Sequence, residues 1–148
     1  MSKTLSYRGQ IAMGTEDRIR LRTLKGKIGY KITKFQILSN SPGATAAVEF
    51  VAKITKVKDP NIGAVVNFSD ADLLAVNYYQ DNNSSSYPDS KTIIFDNEMF
   101  NQDIFVNITD ANGGTVPCNY YIELETMELS DVATTMLTLK NLRTVTSR

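Results

Sequence analysis

The sequence predicts an all-β protein, an antiparallel β-sandwich of jelly-roll-like type with seven to eight strands and one or two short helices, in a single domain over residues 1–148. Three observations predict it. Stretch after stretch alternates apolar and polar residues with a period of two, the mark of a strand with one buried face. Turns rich in Gly, Pro, Asn and Asp punctuate the chain at short spacing, as in sandwiches and barrels. Long helical patterns do not alternate with the strands, which argues against a parallel sheet.

Leu5 to Met13 alternates weakly around Gly9 and reads as a first strand at an edge. The polar segment before Tyr7 has no turn to anchor it, so its order is expected to depend on contact with something else. After the turn Gly14-Thr15-Glu16-Asp17, the stretch from Arg18 to Thr23 alternates strictly, with Arg18, Arg20 and Arg22 on one side and Ile19 and Leu21 on the other. From Ile28 to Leu38 a longer strand changes phase: Ile28, Tyr30 and Ile32 share one parity, Phe35 and Ile37 the other. A phase change around Thr33-Lys34 predicts a β-bulge with Tyr30 and Phe35 both pointing inward. Val48, Phe50, Ala52 and Ile54 mark a clean strand, closed by Lys58-Asp59-Pro60-Asn61.

Ser69-Asp70-Ala71-Asp72, followed by Leu73-Leu74-Ala75-Val76, resembles a capping box and predicts a short helix. Residues 81–90 are polar and rich in Asn and Ser, which reads as an exposed loop. Thr92-Ile93-Ile94-Phe95 reads as a short buried strand. Then Ile104, Val106 and Ile108 face one way, and Tyr120, Ile122 and Leu124 do the same further on, across a turn-rich Thr109 to Gly114. The two arms predict a long hairpin. Ser130-Asp131 is a candidate helix cap, but the threonines at 134, 135, 138 and 144 leave residues 136–145 undecided between helix and strand.

Composition sets bounds on function. Apolar content of 42% and charged content of 22% are globular values. No apolar run approaches the ~20 residues of a membrane-spanning helix. The start Met1 to Ser6 lacks the apolar core of a secretion signal, so a cytosolic site of synthesis is expected. Residues 1–58 carry 12 Lys/Arg and 3 Asp/Glu, whereas residues 59–148 carry 4 and 13. In one domain such halves are expected to neutralise each other, and nucleic acid is not an expected partner, because no stacking aromatics are interleaved with the arginine row.

Reactive chemistry has little to work with. The chain has no histidine, so Ser-His and Cys-His schemes lack their base. Cys118 is the only cysteine, which excludes an intrachain disulfide and a structural zinc set, and it reads as a small apolar core residue. Asp70 with Asp72, and Asp96 with Glu98, are close carboxylate pairs; a helix start and a strand-end turn explain them without catalysis. No cofactor, metal or catalytic residue is expected, and the protein is read as non-enzymatic. The candidate interface is the row Arg18, Arg20, Arg22, with Glu123 and Glu125 at matching spacing as a cross-strand or intersubunit partner.

The segment Ile94 to Val106, with Asn119-Tyr120-Tyr121-Ile122-Glu123-Leu124-Glu125 and Thr138-Leu139-Lys140-Asn141-Leu142-Arg143, resembles small β-sandwich structural proteins of marine tailed phages. The likeness covers the C-terminal third. It implies a virion component assembled in the host cytoplasm, a capsid decoration (cement) subunit whose partners are the major capsid protein and copies of itself, with no membrane partner. The first two thirds match nothing of that family, which leaves a tail position open, including a receptor-binding module for carbohydrate with Tyr78, Tyr79 and Tyr87 as its exposed aromatics.

Overall fold

The computed structural model describes residues 3–21, 27–42, 47–60, 62–81, 89–95, 99–130, 133 and 135–139. Its longest strand, β3 (Ile28–Ser39), shows how the sequence pattern becomes a sheet. Tyr30, Ile32, Phe35 and Ile37 are all buried, although they straddle two parities. The register against the partner strand slips between Ile32 and Lys34, so Thr33 is the extra residue of a bulge. Its hydroxyl donates to the Glu123 carbonyl at 3.2 Å. The predicted bulge is present, and it resets the facing of the whole second half of the strand.

The other strands are β1 (Lys3–Ile11), β2 (Thr15–Ile19), β4 (Val48–Thr55), β5 (Leu73–Asp81), β6 (Asp89–Ile94), β7 (Ile104–Asp110) and β8 (Cys118–Glu128). They form two antiparallel sheets, β1-β8-β3 and β2-β7-β4-β5-β6. The pairings are nested: β4 with β5, β2 with β7, β1 with β8. The remaining pair, β3 and β6, meet through the Thr92 hydroxyl, which donates to the Phe35 carbonyl at 3.2 Å. This is jelly-roll winding, a folded-over hairpin wrapped into two layers. The layers close on Phe35, Phe50, Ile54, Ile104, Val106, Ile108, Ile122 and Leu124, all essentially without exposure. Each such side chain contributes roughly 1.5–3 kcal/mol of burial.

Nested winding corrects the predicted hairpin. The arms 104–110 and 118–128 are strands, but β7 pairs with β2 and β4 whereas β8 pairs with β1 and β3. Residues 111–117 therefore cross between layers, with Gly113 at φ 77 in the turn. Alternation shows which face of a strand is buried, and says nothing about its neighbour.

Three further expectations are corrected. The stretch 69–76 is not a helix: Asp70 Oδ1 accepts from Asp72 N at 2.9 Å and the Asp70 carbonyl from Leu73 N at 3.2 Å, and β5 starts at once. Next, β6 lies at a sheet edge, and its Ile93 is 44% exposed rather than buried. Finally, the chain before Tyr7 is tied down by the chain itself, since β1 pairs with β8 from Lys3↔Thr126 to Ile11↔Cys118, although it does lie at an edge as expected. Among the described residues one short helix is present, 135–139 with 133. Ser130 Oγ accepts from Ala133 N at 3.1 Å, the expected cap.

Candidate functional site

The predicted interface residues fall on different sheets. Arg18 lies on β2, an edge of the five-stranded sheet, and Arg20 lies exposed just beyond it. Arg22 lies outside the described residues. Arg18 is already engaged: its Nε and Nη2 both reach Asp103 Oδ2 at 2.8 Å, and its guanidinium lies 6.0 Å from the centre of the Phe105 ring. Asp103 Oδ1 in turn accepts from Leu21 N at 2.8 Å. Glu123 and Glu125 lie on β8, in the middle of the three-stranded sheet, opposite Lys34 and Lys31 of β3. They are not cross-strand partners of the arginine row, because β2 and β8 belong to different layers. Tyr121 Oη donates to Glu123 Oε1 at 2.7 Å, and this bond raises the Tyr121 pKa.

The carboxylate Asp70 closes a turn, and Asp96 and Glu98 lie outside the described residues. No cluster of three or more His, Cys, Asp or Glu able to hold a metal ion occurs among the described residues. Cys118 is fully buried, and burial pushes its thiol pKa up to about 12. Of the three tyrosines considered for sugar binding, Tyr79 is a core residue stacked on Phe50 with ring centres 5.8 Å apart, Tyr78 is half-buried, and Tyr87 lies outside the described residues.

The structure adds a buried polar network that the sequence reading missed. Glu16 of β2, Asn107 of β7 and Lys53 of β4 stand in one register row across the outward face of the five-stranded sheet. The segment between β4 and β5 folds over them. Lys53 Nζ lies 3.3 Å from Asp59 Oδ2 and donates to the Val65 carbonyl at 3.2 Å. Asn107 Nδ2 donates to Asp59 Oδ2 at 3.2 Å, and Asp59 N donates to Glu16 Oε2 at 3.0 Å. Burial raises the Glu16 pKa, and the hydrogen bonds from Asp59 and Asn107 only partly oppose it. A lysine inside the apolar run Phe50 to Ile54 was the sequence signal for this network: a cation in a buried strand needs a partner.

Pinned this way, the segment presents Val65, 82% exposed, and Phe68, 56% exposed. Phe68 packs edge-on against Phe95 at 5.2 Å, next to exposed Ile93 on the β6 edge. Phe68, Phe95 and Ile93 thus give an apolar surface at the β6 edge of the five-stranded sheet, Val65 stands exposed over the middle strand β4, and Arg18 and Arg20 mark the opposite edge.

The three-stranded sheet carries a groove of about 750 Å³. Arg8, Tyr121 and Gln36 cross it in one register row, with Asn119 beside them and Asn77 and Thr92 at the β3 side. Gln10 Nε2 donates to Asn119 Oδ1 at 3.1 Å. Asn77 Nδ2 donates to the Phe35 carbonyl and to Thr92 Oγ1, both at 2.9 Å, and its Oδ1 has no partner among the described residues. Gly9 is required under this row, since a Cβ there would meet Tyr120 Oη at 2.7 Å. That Tyr120 hydroxyl donates to Asp17 Oδ2 at 3.2 Å and ties the two sheets together.

Compared with protein-family models and with curated proteins, the chain matches none.

Proposed function

We propose that the chain is a non-enzymatic virion subunit of the decoration (cement) kind, which adds to a built protein shell and stabilises it by bridging neighbouring subunits. The observation that carries this reading is the set of apolar side chains Val65, Val66, Phe68 and Ile93, left in solvent on and beside the β4–β5 segment although a complete core exists elsewhere. An exposed apolar patch on a folded domain marks an interaction site. It is held in place rather than loosely attached, because Lys53 fastens the Val65 carbonyl to the sheet. The jelly-roll winding is compatible by analogy, since that fold recurs in viral shells as well as in lectins.

Copy number per particle and the robustness of particles lacking the protein test the proposal. Hundreds of copies are expected, and particles without the chain should form at normal size but break at a lower temperature. Replacing Phe68 and Ile93 by serine should leave the isolated chain folded and abolish its retention on particles. Particles that are equally robust without the protein, yet fail to attach to cells, would overturn the shell role.

A further inference from the structure

The groove on the three-stranded sheet is not needed by the shell role; where it reaches β6 it is lined by Thr92, the sequence neighbour of Ile93. Its lining has an unusual balance. Among the described residues it holds one cation, Arg8, and no carboxylate. Arg8 is exposed, and no ion-pair partner is found for it among the described residues. Around it stand the carboxamides of Gln36, Asn77 and Asn119, the hydroxyl of Thr92 and the ring of Tyr121. Because Gln10 occupies Asn119 Oδ1, the Asn119 Nδ2 is left to donate. Asn77 is buried behind the opposite wall, and its Oδ1 has no partner among the described residues. Glu123, two residues along β8, accepts the Tyr121 hydroxyl, which leaves the ring of Tyr121 as a flat surface. Leu38, 48% exposed, adds an apolar contact at the rim.

We propose that this groove binds an acidic saccharide, a short sugar chain carrying one carboxylate. The guanidinium of Arg8 takes the carboxylate in charge-assisted hydrogen bonds, the stronger kind and the kind for which Arg is suited. Gln36 can donate to and accept from sugar hydroxyls, and Asn119 donates through its Nδ2, while Asn77 and Thr92 shape the wall. Tyr121 and Leu38 support the apolar face of a ring. The volume lies within the ~300–1,000 Å³ range of small-molecule sites. A single cation does not suit a nucleic-acid strand, which needs several phosphate contacts. Such a groove would serve a particle that meets acidic glycans, whether or not the chain also bridges a shell, so the two proposals stand or fall separately.

The full-length isolated chain, labelled for amide NMR, is titrated with sialyllactose and with trigalacturonate, and in parallel with lactose, maltotriose and inorganic phosphate. Saturable shifts are expected at Arg8, Gln36, Asn119 and Tyr121 with at least one acidic sugar, and binding at least about tenfold weaker for its neutral counterpart. Arg8→Gln should weaken acidic-sugar binding by about tenfold or more with an unchanged thermal midpoint. Gln36→Glu, which places a carboxylate in the groove at an exposed position, should abolish it. Equal binding of neutral sugars, the same shifts with phosphate alone, shifts outside the groove, or no saturable shift with either acidic sugar would each overturn the proposal.

Discussion

Lys53→Met tests the buried network most directly. The ammonium sits on the outward face of β4 with its side chain 9% exposed, 3.3 Å from an Asp59 carboxylate that is 11% exposed. Methionine keeps most of the apolar stem and removes the charge. Asp59 then loses the Lys53 ammonium while it keeps the Asn107 amide, and the Val65 carbonyl loses its donor. Breaking a buried pair from one side costs roughly 3–5 kcal/mol, because a charge is left in low dielectric without compensation. For a chain of this size that corresponds to a fall in melting temperature of ~6–20 °C. Urea denaturation followed by circular dichroism measures the loss, and an unchanged slope confirms that the folded and unfolded states are otherwise alike. Amide exchange should speed up across 56–68 before it does in β7 or β8, since that segment is what the lysine pins. Lys53→Met with Asp59→Asn removes the stranded charge and should regain about 1–3 kcal/mol. If Lys53→Met costs under ~1 kcal/mol, or the double variant falls by the sum of the singles, the network is not an energetic unit and the reasoning fails.

Ile122→Asp places a charge in the centre of the core, where Ile122 has no exposure, and the isolated chain should be unfolded by circular dichroism at room temperature. Glu16 has its pKa raised above the ordinary 4.5 by burial. Below that value the folded and unfolded states are both protonated, and as pH rises through the folded pKa the chain loses the stability that the neutral carboxyl supplied. Glu16→Gln should therefore match the parent in acid and gain on it toward neutral pH; a stability difference that stays flat with pH would refute this. Cys118, buried with its pKa pushed up to about 12, should not react with a thiol reagent at mildly alkaline pH until the chain is unfolded.

How much of this was legible beforehand depended on whether a signal was local. The bulge at Thr33 was readable because a phase change is contained within one strand, as was the inward facing of Tyr30, Ile32, Phe35 and Ile37. In β5 the sequence misled, because Leu73, Leu74, Ala75 and Val76 are buried on both sides. The β4–β5 segment covers the outward face of their sheet, so alternation is lost, and a four-residue apolar run then looks as helical as it looks extended. Strand partnership was illegible for another reason: β7 and β8 are neighbours in sequence and belong to different layers. The groove shared the same fate. Arg8, Tyr121 and Gln36 come from three strands far apart in sequence and meet only through register.

The winding also changes what the divided charge of the chain means. Nested pairing sets strands from the first half against strands from the second. A basic N-terminal half and an acidic C-terminal half are thereby brought together: Lys34 lies in register with Glu123 and Lys31 with Glu125, and Arg18 forms an ion pair with Asp103. Part of the asymmetry of +9 against −9 is therefore met inside the fold, which weakens it as support for copies that attract one another by opposite charge. If the chain bridges a shell, the apolar surface around Phe68 and Ile93 must carry the contact. Charge-driven attachment weakens steeply as the screening length falls from ~8 Å at physiological salt to ~3 Å at 1 M. Apolar burial does not, and strongly excluded salts reinforce it. Retention of the protein on purified particles should therefore be unchanged by high sodium chloride and increased by ammonium sulfate, whereas Phe68→Ser should release it in both. Release by sodium chloride alone, with Phe68→Ser still attached, would mean that Arg20 and the remaining exposed charges hold the partner, and the apolar edge would lose its role.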